Sequence, residues 1–181
     1  VALRMFLAAL LWLSSLVSLR LVGAPDVPVV FIPGFAGSKL VGPDGQLLWG
    51  DVASVLQRFG RLDFRASPPR AVKASGVLDA VGVLGPFSLG QYAGLLKTLE
   101  AFGYQQGKSL ITFPYDWRQS NADTARLFQA FVESRPELRG RKFDVVAHSM
   151  GGLVALLSLH DHNGATRVRR LITMGTPYKG S

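Results

Sequence analysis

Beyond Val27 the chain alternates short apolar runs with longer stretches whose apolar residues recur at helical spacing. Val29–Ile32 reads Val, Val, Phe, Ile and is cut off by Pro33-Gly34, while Ser109–Phe113, Phe143–Ala147 and Arg170–Met174 are further apolar runs of strand length. Such runs, bounded by turn residues, predict strands. Between them, Ser88–Phe102 carries Leu89, Tyr92, Leu95, Leu96 and Leu99 at helical spacing with Ser88 placed as an N-cap. Ser120–Glu133 presents Ala125, Leu127, Phe128, Phe131 and Val132 as a second apolar helix face. Strands separated by helices predict an α/β fold with a mostly parallel sheet, right-handed crossovers and flanking helices. Residues 41–86 fit this alternation poorly and are rich in Gly and Pro. They predict an excursion above the sheet, a lid or membrane-facing loop.

Before that pattern lies a different kind of segment. Met5–Leu19 has no charge and is flanked by Arg4 and Arg20. It is long for the core of a signal peptide and short for a spanning helix, which needs about 20 residues. Residues 1–24 therefore read as a signal peptide or membrane anchor, with a buried first helix as the alternative, and export or anchoring places the remainder in a secreted, cell-envelope or membrane-associated setting.

Composition changes this picture in three respects. A length of 181 residues with 48% hydrophobic content suits one domain with a sizeable core. Twenty basic against 12 acidic residues give a formal +8, a balance that draws polyanions, and anionic lipid head groups fit better than nucleic acid. The short basic groups Arg139–Lys142 and Arg167–Arg170 read as solvated charge beside strand starts. There is no Cys, which excludes disulfides and a thiolate nucleophile.

One stretch names a chemistry. Asp144-Val-Val-Ala-His-Ser-Met-Gly-Gly152 runs an apolar strand into a Ser with small residues two before and two after it, the spacing of a nucleophile elbow. To present Ser149 Oγ at the top of a sheet, the backbone must turn sharply into the helix Met150–His160, and large side chains at Ala147 or Gly151 would collide. The helix N-terminus then favours an oxyanion beside the Ser. Pro33-Gly34-Phe35-Ala36-Gly37-Ser38 ends the first strand in a flexible loop, so Phe35 N–H and Met150 N–H are the candidate oxyanion donors. A plain tight turn or a phosphate cradle is the alternative reading of that loop, though neither phosphate-binding spacing is present. Asp116 and Arg118, at the end of the second strand, are read as holding the site rim in shape, paired with each other or with neighbouring loops, in preference to a catalytic role.

Four groups in this order, Pro28-Val-Val-Phe-Ile-Pro-Gly-Phe-Ala-Gly-Ser-Lys-Leu40, Phe113-Pro-Tyr-Asp-Trp-Arg118, Ala147-His-Ser-Met-Gly-Gly152 and Gly175-Thr-Pro-Tyr-Lys-Gly-Ser181, resemble the lecithin:cholesterol acyltransferase family. Trp49-Gly-Asp51, Gly76-Val77 and Tyr92 to Tyr104 extend the likeness over nearly everything after Val27. The resemblance implies an α/β-hydrolase that moves an acyl chain from a phospholipid to a lipid alcohol or water, at a membrane or lipid surface, with no cofactor and no metal. It implies Ser149 as nucleophile, Phe35 and Met150 as oxyanion amides, and Trp49 in the lid and membrane-binding region. In such enzymes the acid and the His follow the Ser. His160, Asp161 and His162 lie near the far end of the elbow helix, carried away from Ser149 at about 1.5 Å per residue. His148 sits on the elbow and points elsewhere, so all three His read as surface or packing residues. The chain therefore reads as a member truncated at its C-terminus, with Val1 pointing to an incomplete N-terminus, weak or inactive as it stands, and its last strand an exposed edge. Without Cys it lacks the disulfide that latches the lid loop in animal members. The alternatives are another serine lipase or esterase, and a non-catalytic membrane-associated binding protein.

Overall fold

A computed structural model of the chain describes residues 25–62, 64–65, 72–78, 81–84, 87–89, 92–161 and 164–180. The expected signal or anchor at 1–24 and His162 lie outside the described residues. Among the described residues, no helix is long and apolar enough to cross a membrane. In chain order the strands are β1 (Val29–Ile32), β2 (Ser38–Val41), β3 (Leu47–Trp49), β4 (Lys73–Val77), β5 (Val81–Leu84), β6 (Phe87–Leu89), β7 (Leu110–Thr112), β8 (Phe143–His148) and β9 (Val168–Met174). The helices are α1 (Val52–Arg58), α2 (Ala93–Ala101), α3 (Asn121–Ser134) and α4 (Met150–Asp161).

The four predicted strands form one parallel sheet in the order β7-β1-β8-β9, with Val30 opposite both Ile111 and Val145, and Val146 opposite Ile172. All four residues of β1 are buried, as a central parallel strand covered on both faces requires. Successive side chains point to opposite faces. Val30 and Ile32 join Ile111, Phe128, Val145 and Val154 in one core, and Val29 and Phe31 join Tyr92, Leu96, Leu110 and Val146 in the other. Thus α3 and α4 cover one face and α2 the other, the α/β arrangement expected from the alternation and the α/β-hydrolase fold that the family resemblance implies.

Helix α3 begins just after Ser120, whose hydroxyl caps it by accepting from Asp123 N–H at 3.1 Å. Its buried face is Thr124, Ala125, Phe128 and Val132, whereas Leu127, expected on that face, is 56% exposed because it lies about 100° round the helix from Phe128. The helix expected over Ser88–Phe102 is shorter than its apolar periodicity suggests. It starts at Ala93 with Tyr92 in the N-cap position and no side-chain cap. Ser88 is not that cap: it lies in β6 opposite Gly82, and pairing with β5 takes the chain before Tyr92 into a hairpin.

The excursion at 41–86 stands outside the parallel sheet. Where described, it is not irregular loop: β3-β2-β4 form a small antiparallel sheet, joined by α1 and the β5–β6 hairpin. The basic group Arg167–Arg170 is likewise more than solvated charge. Arg169 grips the buried Asp144 through Nε at 2.8 Å and Nη2 at 2.5 Å, tying β9 to β8. Strand β9 has β8 as its neighbour in the sheet and leaves Ile172 half-exposed along the edge.

Candidate active site

Strand β8 passes into α4 through a single residue. Ser149 takes φ +49°, the left-handed region that a non-glycine residue occupies at a cost of about 1–2 kcal/mol. The turn is held by Ser149 N–H donating to Met174 O at 2.8 Å, and by Gly152 N–H donating to Ser149 O at 3.0 Å. The glycines around it are sterically required. A Cβ on Gly151 would meet Pro33 O at 2.4 Å and Ile32 O at 2.7 Å, and a Cβ on Gly152 would meet Thr176 Oγ1 at 2.0 Å. A Cβ on Gly34 would come within 2.9 Å of the Ser149 Cβ, so the loop after β1 rests directly against the elbow. Since the atoms facing Gly151 are backbone of β1 and its loop, which cannot swing aside as a side-chain tip can, Gly151→Ala must displace the strand itself. A loss of about 1–3 kcal/mol is expected, as for overpacked cores, and would show as a lower urea midpoint at unchanged slope.

The loop Pro33–Ser38 is fixed peptide by peptide. The first peptide is held at both ends: Tyr115 Oη donates to Pro33 O at 3.0 Å, and Gly34 N–H donates to Tyr92 Oη at 2.9 Å. In the next, Gly34 O accepts from Gly37 N–H at 3.0 Å. A trans peptide points its N–H away from its C=O, so Phe35 N–H is turned out of that tight turn. Among the described residues, nothing in the protein accepts it. Further along, Trp49 Nε1–H donates to Ala36 O at 2.8 Å, where Ala36 also has positive φ, +57°. Trp117 Nε1–H donates to Ser38 O at 3.2 Å, and the Ser38 hydroxyl accepts from Tyr115 N–H at 3.1 Å. Burial pushes the Tyr115 phenol well above the usual tyrosine value, with nearby Tyr92 adding to the effect, so it remains a donor throughout the physiological range. Met150, the other expected donor, is the first residue of α4, where N–H groups have no carbonyl one turn earlier.

The rim is aromatic with a buried ion pair beneath it. Asp116 and Arg118 pair bidentately, Nε to Oδ1 at 2.8 Å and Nη2 to Oδ2 at 2.7 Å, with the Arg side chain only 1% exposed. Between them Trp117 is buried and meets Phe35 edge-on at 4.8 Å and Trp49 at 5.4 Å. Phe64 adds a tilted contact with Trp117 at 6.0 Å. Phe35 and Phe64 are more than half exposed, leaving an apolar lip beside the elbow. Trp49, expected in the excursion, thus reaches back to the loop after β1.

The histidines divide. His148 lies on the elbow with Nδ1 2.9 Å from Tyr92 Oη, and His160 is exposed in the last turn of α4. Among the described residues, no three His, Asp or Glu side chains gather as a metal site would require. A cavity of about 350 Å³ opens at the opposite end of the strands, lined by Pro28, Lys108, Ser109, Glu137 and Arg141 among others, and is separate from the elbow.

Sequence reasoning did not single out Tyr92, Tyr115 or Trp117 individually, although two of them stand in the Tyr-Asp-Trp stretch already noted. A signal was present: a Tyr or Trp in an apolar position carries a polar hydrogen that burial obliges to find an acceptor. Which acceptor it finds depends on the fold: Tyr115 and Trp117 find theirs 82 and 79 residues away in the chain.

Comparison with known proteins gives a consistent picture. Residues 61–181 match the family model described as lecithin:cholesterol acyltransferase. The chain is similar to lecithin-cholesterol acyltransferase-like 4 of Arabidopsis thaliana, 27% identical over 184 residues, covering 85% of this chain and 34% of that protein. It is also similar to the human lysosomal phospholipase A and acyltransferase, 30% identical over 92 residues, covering 48% of this chain and 22% of that one. The chain therefore spans about a third or less of the length of these relatives. Among solved structures it is similar to a chain of the Tle4-Tli4 complex, with TM-score 0.54 and 18% identity over 81% of this chain and 45% of the other, a likeness of fold.

Proposed function

The chain belongs to the lecithin:cholesterol acyltransferase family, and on that footing we propose that it supplies the nucleophile and the oxyanion-binding loop of a lipid acyltransferase or phospholipase. The observation that carries this reading is the pairing of a strained Ser149 at the β8–α4 junction with a Phe35 N–H that has no acceptor among the described residues. A left-handed Ser costs stability and makes sense where its hydroxyl must stand clear of the sheet.

In the proposed reaction Ser149 Oγ attacks the ester carbonyl of a phospholipid as its proton passes to a base. The carbonyl oxygen becomes an oxyanion facing Phe35 N–H and Met150 N–H. The lysophospholipid oxygen then leaves with a proton, giving acyl-Ser149, which a lipid alcohol or water cleaves to regenerate the hydroxyl. Among the described residues, His148 turns Nδ1 toward Tyr92 and His160 lies a helix length away, so neither is assigned as the base. Phe35 and Phe64 form the lip over which an acyl chain would enter, the excursion 41–86 is the proposed lid or membrane-facing part, and the +8 balance favours an anionic lipid surface. Residues 1–24 are read as the export signal or anchor.

The deciding experiment gives the protein, as its gene encodes it, vesicles of phosphatidylcholine with and without a long-chain alcohol and identifies the acyl products. Fatty acid alone without the alcohol, and ester with it, is the expected outcome. Fatty acid under both conditions would leave a phospholipase. Lipid binding without any acyl product, unchanged in Ser149→Ala, would favour the non-catalytic reading instead.

A further inference from the structure

One buried oxygen touches both halves of the candidate machinery. Tyr92 Oη accepts from Gly34 N–H, next to the proposed donor Phe35, and lies 2.9 Å from Nδ1 of His148, next to the proposed nucleophile. The spacing leaves no room for adjustment by side chains. A Cβ on Gly37 would come 2.8 Å from the Tyr92 hydroxyl, and one on Gly34 would come 2.8 Å from His148 Nδ1. Tyr92 itself is 4% exposed, with its ring edge-on to Phe31 at 4.9 Å and to His148 at 5.6 Å. A phenol has one proton to give. With Gly34 N–H donating to the oxygen, the phenol proton can serve Nδ1 in the tautomer whose imidazole proton is on Nε2.

We propose that Tyr92 is a positioning residue that couples the loop after β1 to the elbow, holding Phe35 N–H at a fixed place relative to Ser149 Oγ. The inference rests on the reading of Ser149 and Phe35 given above. Tyr92 acts through the Gly34 peptide, whose other end Tyr115 holds. Take the hydroxyl away, and Gly34 N–H and His148 Nδ1 are left as donor and acceptor across the vacated space. They draw together, and the loop carries Phe35 N–H out of line. A displaced oxyanion donor weakens binding of the transition state more than of the substrate.

The test uses the protein as its gene encodes it, with the vesicle assay above and the Phe35 amide resonance of ¹⁵N-labelled protein as a readout that needs no turnover. Tyr92→Phe should lower kcat by about 10- to 100-fold with KM within about twofold, and shift the Phe35 amide. His148→Asn retains an oxygen able to accept the phenol proton and should keep kcat within about threefold, while His148→Phe should fall as Tyr92→Phe does. A Tyr92→Phe protein with kcat within about twofold of the parent and an unmoved Phe35 resonance overturns the proposal. Should that variant not fold, the two His148 variants decide alone, and equal kcat in both overturns it. Ser149→Ala separates this proposal from the reading beneath it. Turnover that survives in Ser149→Ala removes the site assignment itself, whereas turnover lost there but intact in Tyr92→Phe removes only the coupling.

Discussion

In the protein as its gene encodes it, Ser149→Ala is expected to reduce acyl release from phospholipid vesicles by roughly 10⁴- to 10⁶-fold, the scale on which a serine hydrolase loses its nucleophile. The substitution removes one oxygen and leaves the backbone demand in place, because Ala meets φ +49° with the same Cβ clash that Ser does. Its urea midpoint should therefore stay close to that of the parent. Ser149→Gly isolates the other half of the statement. Glycine relieves about 1–2 kcal/mol of left-handed strain and adds about 0.5–1 kcal/mol of unfolded-chain entropy, so a net gain of about 0.5–1 kcal/mol is expected with activity equally lost. Two inactive variants, one of them more stable than the parent, would show stability set aside for the hydroxyl's placement. An active Ser149→Ala, or a Ser149→Gly less stable than the parent, would contradict respectively the chemistry and the strain.

What could be read from the chain in advance was local. The alternation of Val29–Ile32, Phe143–Ala147 and the amphipathic 120–133 needs only neighbours a few residues apart, and the parallel order follows from the connections between strands. The elbow was legible as a spacing, since Ala147, Ser149 and Gly151 fall within five consecutive residues, although the backbone that Gly151 must clear belongs to β1 and its loop. Ser88 and Leu127 mark where that reach ends. Ser88 has the chemistry of a cap, but a strand at Val81–Leu84 takes its backbone, and Leu127 lies at the margin of a face whose width only the packed sheet defines. The clamp on the Pro33–Ser38 loop was not legible at all. Trp49, Tyr92 and the Tyr115–Trp117 stretch approach it from three places in the chain, and each bond depends on a fold already formed.

That clamp leads to the second large effect, at a pair far more buried than surface ion pairs usually are. Arg118→Met keeps most of the aliphatic stem and removes the guanidinium, which leaves the Asp116 carboxylate 9% exposed without its bidentate partner. Its remaining donors are Arg118 N–H at 3.2 Å and Gln119 Nε2 at 3.4 Å, too long to replace two short charge-assisted bonds. Breaking one side of a buried pair costs about 3–5 kcal/mol, a large share of the roughly 5–15 kcal/mol that holds a domain together. Removing both charges, with Asp116→Leu and Arg118→Met together, takes away the Asp116 carboxylate that the single change strands and should recover part of the loss, because a desolvated pair contributes little beyond an apolar replacement of similar volume. Urea midpoints of the parent, both single variants and the double variant give the coupling directly, and additive losses would refute it. Activity should follow the same order. Trp117 sits between the two charges, packs on Phe35 and donates to Ser38 O, so a rim loosened at Arg118 frees the loop that carries the proposed oxyanion donor. A stable, fully active Arg118→Met would mean that the aromatic contacts hold the loop unaided, and would move the origin of its rigidity from the ion pair to the Trp49, Tyr92 and Tyr115 hydrogen bonds.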